Sequence, residues 1–373
     1  MSMSMATWET ARRILCVRLD YLGDVLMTTP ALRALKQAQP GRHITLLTSH
    51  NGAAVTPYIP EIDATIPYAA PWLKSSAPHD TSADFAMIEQ LARGRFDAAV
   101  IFTVYSQNPL PAAMLCYLAG IPLRLAHCHE NPYQLLTHWI PDPEPQQHIR
   151  HEVQRQLDLA ASIGAHTDDA HLSFRIQADD DASVSRMLRE HDIGSSQPWI
   201  VLHPGATAAS RRYPPQHFAE AAAALARQLR CPLVFTGSAD EAPLIDRIRS
   251  GIPGTHSLAG RLSLGQLGAL IARAPLLISN NTGPAHIAAA VGTPVVNLYA
   301  LTNPQHTPWQ VPSRVLFHDV PCRYCYKSVC PQGHHACLAA VAPERVVNAA
   351  LDLLSARHAA TATSAGIHPS ARR

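Results

Sequence analysis

Twice along this chain a short apolar run gives way to a polar turn and then to residues at helical spacing, and each time the cycle repeats several times over. The first block opens at Ile14-Leu15-Cys16-Val17-Arg18-Leu19 and the second at Trp199-Ile200-Val201-Leu202-His203. Apolar runs without alternation suit strands buried on both faces, and helices between them lead to parallel pairing. The 373 residues exceed one ordinary core. The expected fold is therefore α/β, with two Rossmann-like, doubly wound domains facing a cleft. The expected domains are residues 1–175 and 176–357, followed by a disordered tail over 358–373.

Local signals refine each block. After the first strand comes the loop Asp20-Tyr21-Leu22-Gly23-Asp24, and Thr29-Pro30 then has the residue types of an N-cap and first helical position. A helix starting there leaves Asp24 in the preceding loop. Either way Asp24 sits at the carboxyl end of strand one, where open α/β sheets keep their ligands. Pro132, Pro141, Pro143 and Pro145 predict that the segment from Glu130 to Gln147 is a loop. Ser263-Leu264-Gly265-Gln266 has capping-box spacing.

In the second block, Pro275-Leu276-Leu277-Ile278 leads into Ser279-Asn280-Asn281-Thr282-Gly283-Pro284-Ala285-His286. The helical run Ile287 to Val291 follows and ends at Gly292. Backbone N–H groups and the positive end of the helix dipole converge at such a turn, so a diphosphate can sit there. An ordinary turn capped by Thr282 or Asn281 has the same pattern.

Several classes are excluded by what the chain lacks. Thirty basic residues nearly match 28 acidic ones, so no global field for nucleic acid exists. No G-x-G-x-x-G follows the first strand, and neither G-x-x-x-x-G-K-[ST] nor G-x-S-x-G occurs. The start Met1 to Thr10 lacks the charge and apolar centre of a signal peptide, and no apolar run is long enough to span a bilayer. A cytoplasmic protein is expected, with peripheral contact on the cytoplasmic face of the inner membrane allowed. Four cysteines are isolated, whereas Cys322, Cys325, Cys330 and Cys337 crowd together with His334 and His335. Four soft ligands at short spacing can hold zinc or iron in a structural role, and reduced thiols in a compact loop are the alternative. No metal ligand is assigned and no cofactor is expected.

The ordered set Gly23 to Leu32, His203-Pro204-Gly205-Ala206, Ser210 to Phe218, Ser257-Leu258-Ala259-Gly260 and Ser279 to Pro294 resembles glycosyltransferase family 9, the ADP-heptose lipopolysaccharide heptosyltransferases. The resemblance implies a GT-B architecture, with an acceptor domain first and a sugar-nucleotide domain second. It also implies inverting transfer of a heptose from ADP-heptose to a lipid-linked or core oligosaccharide acceptor. Asp24 matches the family's general base, a carboxylate that is ionised at neutral pH; capping of the following helix is its plain alternative. Arg211 and Arg212 match the basic position directed at the phosphates. Asn281, Thr282, Gly283 and His286 match the helix start near the diphosphate, and Gly237 and Glu241 match positions near the nucleoside or ribose. Asn281 stands where Asp is frequent, so it can cap but has no acid–base role. Arg211 replaces Lys, and Tyr299-Ala300-Leu301-Thr302-Asn303-Pro304 departs from the usual Phe-Gly-Pro-Thr-Asp-Pro. Another nucleotide-sugar transferase, with a different donor or a glycan or protein acceptor, has the same architecture. So do a sugar-nucleotide epimerase and a non-catalytic sugar-nucleotide-binding protein.

Overall fold

The structure is a computed structural model that describes residues 7–73, 79–194 and 198–365. It divides into two compact units, Met1–Arg175 and Ile176–Arg373.

Unit 1 runs β1 (Arg13–Arg18), α1 (Leu22–Ala38), β2 (His43–Thr48), α2 (His50–Ala53), β3 (Ala64–Pro67), α3 (Thr81–Arg93), β4 (Ala98–Ile101), α4 (Leu110–Leu118), β5 (Leu123–Cys128), β6 (His138–Pro141) and α5 (Glu152–Ala161). Its strands form one sheet of order β3-β2-β1-β4-β5-β6, with every neighbour parallel. The order reverses between β1 and β4, where Val17 pairs with Ile101. Leu15, Val17, Leu91, Ile101 and Leu115 belong to the core on one face of this sheet. Each such burial contributes roughly 1.5–3 kcal/mol.

Two details differ from the sequence reading. Thr29 and Pro30 lie inside α1, not at its start, so Asp24 occupies the helix's first turn. Pro30 has no N–H to give the carbonyl one turn back, and the Thr29 hydroxyl takes over that carbonyl, donating to Leu26 O at 2.7 Å. The Pro-rich segment contains β6, which survives because it is an edge strand with its proline at the end.

Unit 2 begins with α6 (Ala178–Glu190) and continues β7 (Ile200–His203), α7 (Pro215–Leu229), β8 (Leu233–Phe235), α8 (Ala242–Arg249), β9 (Thr255–Ser257), α9 (Leu264–Arg273), β10 (Leu277–Asn280), α10 (Gly283–Val291), β11 (Val295–Leu298), β12 (Ser313–Leu316), α11 (Ala336–Ala339) and α12 (Pro343–Ala365). Read from its other edge, the sheet order is β9-β8-β7-β10-β11-β12, the same winding as in unit 1. The reversal falls between β7 and β10, with His203 paired to Ser279. Ile200, Phe235, Ile278, Val296 and Leu353 anchor its core. Ser263 caps α9 in the expected capping box, and Gly292 closes α10 at φ 76°, a left-handed turn that glycine adopts without strain. α12 runs to Ala365, into the range 358–373 where the sequence reading expects a disordered tail; residues 366–373 lie outside those described. Among the described residues, no helix is long and apolar enough to cross a membrane.

Candidate functional site

In open α/β sheets ligands gather outside the strand carboxyl ends where the order reverses. Each unit places candidate residues at that point.

In unit 1 the β1–α1 connection carries Asp20 and Asp24 to the end of β1. Arg18, fully buried, reaches three carboxylates: Nε to Asp20 Oδ2 at 3.0 Å, Nη2 to Asp24 Oδ1 at 3.2 Å and Nη1 to Glu152 Oε1 at 2.8 Å. Glu152, at the start of α5, is also fully buried and accepts a bond from Gln156 Nε2 at 2.6 Å. Asp20 Oδ1 accepts from Gln107 Nε2, also at 2.6 Å. One cation thus serves three anions. Burial pushes the Asp20 carboxyl up to about 6; Arg18 opposes that shift and Asp24 adds to it. Burial raises Glu152 as well, with Arg18 again opposing.

The raised Asp20 value has a testable sign. Its folded pKa lies above the ordinary 3.8, so its contribution to stability is present below that value and is lost as pH rises through about 6. Asp20→Asn keeps residue 20 uncharged at every pH. It should match wild-type stability near pH 4 and exceed it by about 3 kcal/mol near pH 8 in urea unfolding. A variant less stable than wild type at the higher pH would show that ionised Asp20 is favourable.

In unit 2 the β10–α10 turn holds Asn281, Thr282 and Gly283, and His286 lies buried in the first turn of α10. Pro284 removes one donor from the helix start, and no side chain caps it among the described residues. The Asn281 amide N–H donates to Leu298 O at 3.1 Å. Its side chain is 2% exposed, and its Oδ1 has no hydrogen-bond partner among the described residues. Asn280, to which the sequence reading assigned no role, ties the neighbouring turns together. Its Nδ2 donates to Pro204 O at 2.8 Å and its Oδ1 accepts from Tyr213 N at 3.1 Å.

Arg211 ends a 3-10 turn at Ala209–Arg211. It stands near enough to Tyr299 for its charge to oppose the upward push that burial exerts on that phenol. Arg212 is exposed, and its Nε donates to Ala206 O at 2.7 Å. Glu241 forms a capping box with Ser238, accepting from Ser238 N at 2.9 Å. Its carboxylate lies over two glycines: a Cβ on Gly205 would stand 2.0 Å from Glu241 Oε1, and one on Gly237 2.9 Å from Oε2. Burial also holds the His203 imidazole below its ordinary value, with Glu241 opposing. The unit 2 candidates therefore cluster around the ends of β7, β8 and β10.

The four clustered cysteines are free and half-buried, and Cys322 Sγ lies 3.9 Å from His334 Nε2. Among the described residues, no three His, Cys, Asp or Glu side chains are arranged to hold a metal.

A family model described as glycosyltransferase family 9 (heptosyltransferase) matches residues 85–336. The chain belongs to this family. It is thus a glycosyltransferase of the heptosyltransferase group, and its two parallel sheets are those of the GT-B class. It is similar to lipopolysaccharide heptosyltransferase 3 of Escherichia coli, 28% identical over 297 residues, covering 77% of this chain and 83% of that one. Lipooligosaccharide heptosyltransferase 2 of Haemophilus ducreyi is 27% identical over 365 residues, covering 92% and 99%. In fold the chain resembles the solved Escherichia coli ADP-heptose lipopolysaccharide heptosyltransferase II, with a TM-score of 0.72, 23% identity and coverage of 93% and 99%.

Arg18, Asp20, Glu152 and Asn280 are the site residues that sequence reasoning missed. A charge inside an otherwise apolar strand was a usable signal for Arg18. Nothing in the sequence marks Glu152, whose partner lies 134 positions away.

Proposed function

We propose that this glycosyltransferase moves a heptose from ADP-heptose to a lipopolysaccharide core acceptor with inversion. The observation that carries the reading is family membership joined to a carboxylate, Asp24, at the switch point of unit 1 and an uncapped helix start at the switch point of unit 2. The acceptor hydroxyl gives its proton to Asp24, and its oxygen attacks the anomeric carbon. The bond from that carbon to the phosphate oxygen breaks, and its electron pair leaves with ADP.

Negative charge grows on the diphosphate as that bond opens. The start of α10 and the Arg211 and Arg212 guanidiniums supply the compensating dipole and charge. Thr282, Gly283 and His286 belong to that helix start, while Gly237 and Glu241 are assigned to the nucleoside side. Asn281 offers an amide to a donor hydroxyl and takes no part in proton transfer. Work on the cytoplasmic face of the inner membrane fits a lipid-linked acceptor.

Relatives named for ADP-heptose and for lipopolysaccharide support the donor and acceptor classes. Thermal unfolding with ADP-, GDP- and UDP-sugars tests the donor. ADP-heptose at a hundred times its Kd should stabilise the chain by about 2.7 kcal/mol, and the other two donors by far less. Stabilisation by a UDP- or GDP-sugar with none by ADP-heptose would overturn the donor assignment.

A further inference from the structure

At the switch point of unit 1, the ends of β1 and β4 and the segment around Trp72 enclose a cavity of about 260 Å3 that no residue role assigned above explains. Asp20, Thr103, Ser106, Gln107 and Asn108 are its polar lining, and Trp72 and Phe102 are among its apolar walls. We infer that this cavity binds a single uncharged, hydroxyl-bearing sugar ring, with Asp20 and Gln107 reading its hydroxyls. That the ring belongs to the acceptor rests on the function proposed above.

Size, rigidity and charge support the inference. Drug-sized pockets run to roughly 300–1,000 Å3, so this volume suits one ring and excludes an extended oligosaccharide. Gln107 is held at both ends of its amide: Nε2 donates to Asp20 Oδ1 at 2.6 Å and Oε1 accepts from Val104 N at 3.3 Å. Asp20 is in turn held by Arg18 at 3.0 Å. The carboxylate–amide pair is therefore set before a ligand arrives, with lone pairs on Asp20 and a second amide N–H on Gln107 left to serve hydroxyls. Trp72 and Phe102 add apolar surface for the C–H groups of a pyranose.

Charge decides the class of ring. Among the described residues, no Lys, Arg or His lines the cavity. Two cations stand beside it: Arg18 is shared among Asp20, Asp24 and Glu152, and Arg155, whose Nε donates to Thr103 O at 2.9 Å, is paired with Asp142 and Glu144, so carboxylates outnumber guanidiniums around the cavity. A ring carrying a carboxylate or phosphate meets repulsion there, and a neutral polyol does not. Asp20 and Asp24 grip the same guanidinium, so a ring seated on Asp20 is a neighbour of Asp24.

The test uses the full chain without donor and reads saturation transfer in NMR to two probes. One is the methyl glycoside of a neutral heptopyranose; the other is the methyl glycoside of an anionic 3-deoxy-ulosonic acid. The neutral probe should bind, and the anionic one should bind at least about tenfold more weakly, the discrimination expected of a single charged contact. Gln107→Ala and Asp20→Asn should each weaken the neutral probe about tenfold, and Asp20→Asn should narrow the gap between the probes. The thermal shift produced by ADP should stay unchanged in both variants. The inference fails if the neutral probe does not bind, if the anionic probe binds as well as the neutral one, or if neither variant alters neutral binding. An intact ADP shift alongside any of these results rejects the cavity assignment alone. Loss of ADP-heptose recognition by the wild type instead rejects the donor reading and leaves the cavity result standing.

Discussion

Asp24→Asn is expected to lower transfer by about 100- to 10,000-fold while leaving ADP binding and folding intact. The amide is nearly isosteric, and its oxygen can still accept from Arg18 Nη2, which now reaches Asp24 Oδ1 at 3.2 Å. What the amide cannot do is take up a proton at neutral pH, so under the proposed mechanism the acceptor hydroxyl stays a poor nucleophile. Transfer should be followed under saturating donor and acceptor, where a defect in the chemical step appears in kcat more than in KM. Activity equal to wild type in a folded, ADP-binding variant would remove Asp24 from the mechanism and leave it as a residue of the first helical turn. A matched loss of ADP binding would point to disruption of the fold instead.

Arg18→Met should be the most damaging single change to stability in unit 1. The methionine fills much the same space, but Asp20, Asp24 and Glu152 then face one another with their shared cation gone. Removing one partner of a buried charge cluster costs about 3–5 kcal/mol, because the remaining charges stay desolvated and uncompensated. Urea unfolding near neutral pH measures this. Arg18→Lys keeps the charge, yet an ammonium lacks the planar fork that serves three carboxylates at once, so it should fall between the two. Adding Asp20→Asn and Glu152→Gln to Arg18→Met should restore part of the loss. If Arg18→Met stays within about 1 kcal/mol of wild type, the carboxylates are relieved by protonation or water and the cluster is not held by Arg18.

The winding of both sheets was legible because its cause is local. Runs such as Ile14 to Val17 and Leu276 to Ile278 are apolar on both faces, and only a covered parallel sheet hides both. The turn from Asn281 to Gly283 was legible for the same reason: a strand, a polar turn and Gly-Pro announce a helix start whatever surrounds them. Thr29-Pro30 was misread because the same pair serves as an N-cap in one context and repairs a mid-helix break in another; the Leu26 carbonyl that decides between them is visible only once the helix exists. β6 was hidden by its prolines, since whether a strand lies at an edge is a property of the sheet and not of the segment. The Arg18 cluster was out of reach for a stronger reason. Two of its carboxylates are neighbours in sequence, but Glu152 comes from α5, far along the chain, and only the packing of α5 on α1 brings it in.

Ser210 gives the turn that carries Arg211 an unusual foundation. Its N–H donates to Ser328 O at 3.0 Å and its hydroxyl to Lys327 O at 2.7 Å, so the residue just before Arg211 rests on backbone between Cys325 and Cys330. Those thiols are half-buried and free. An oxidant or alkylating reagent that reshapes this backbone acts on Arg211 through two hydrogen bonds without touching any group in the chemistry. Storage history, air exposure and the choice of reductant therefore belong among the variables to hold fixed when variants at Arg211 are compared.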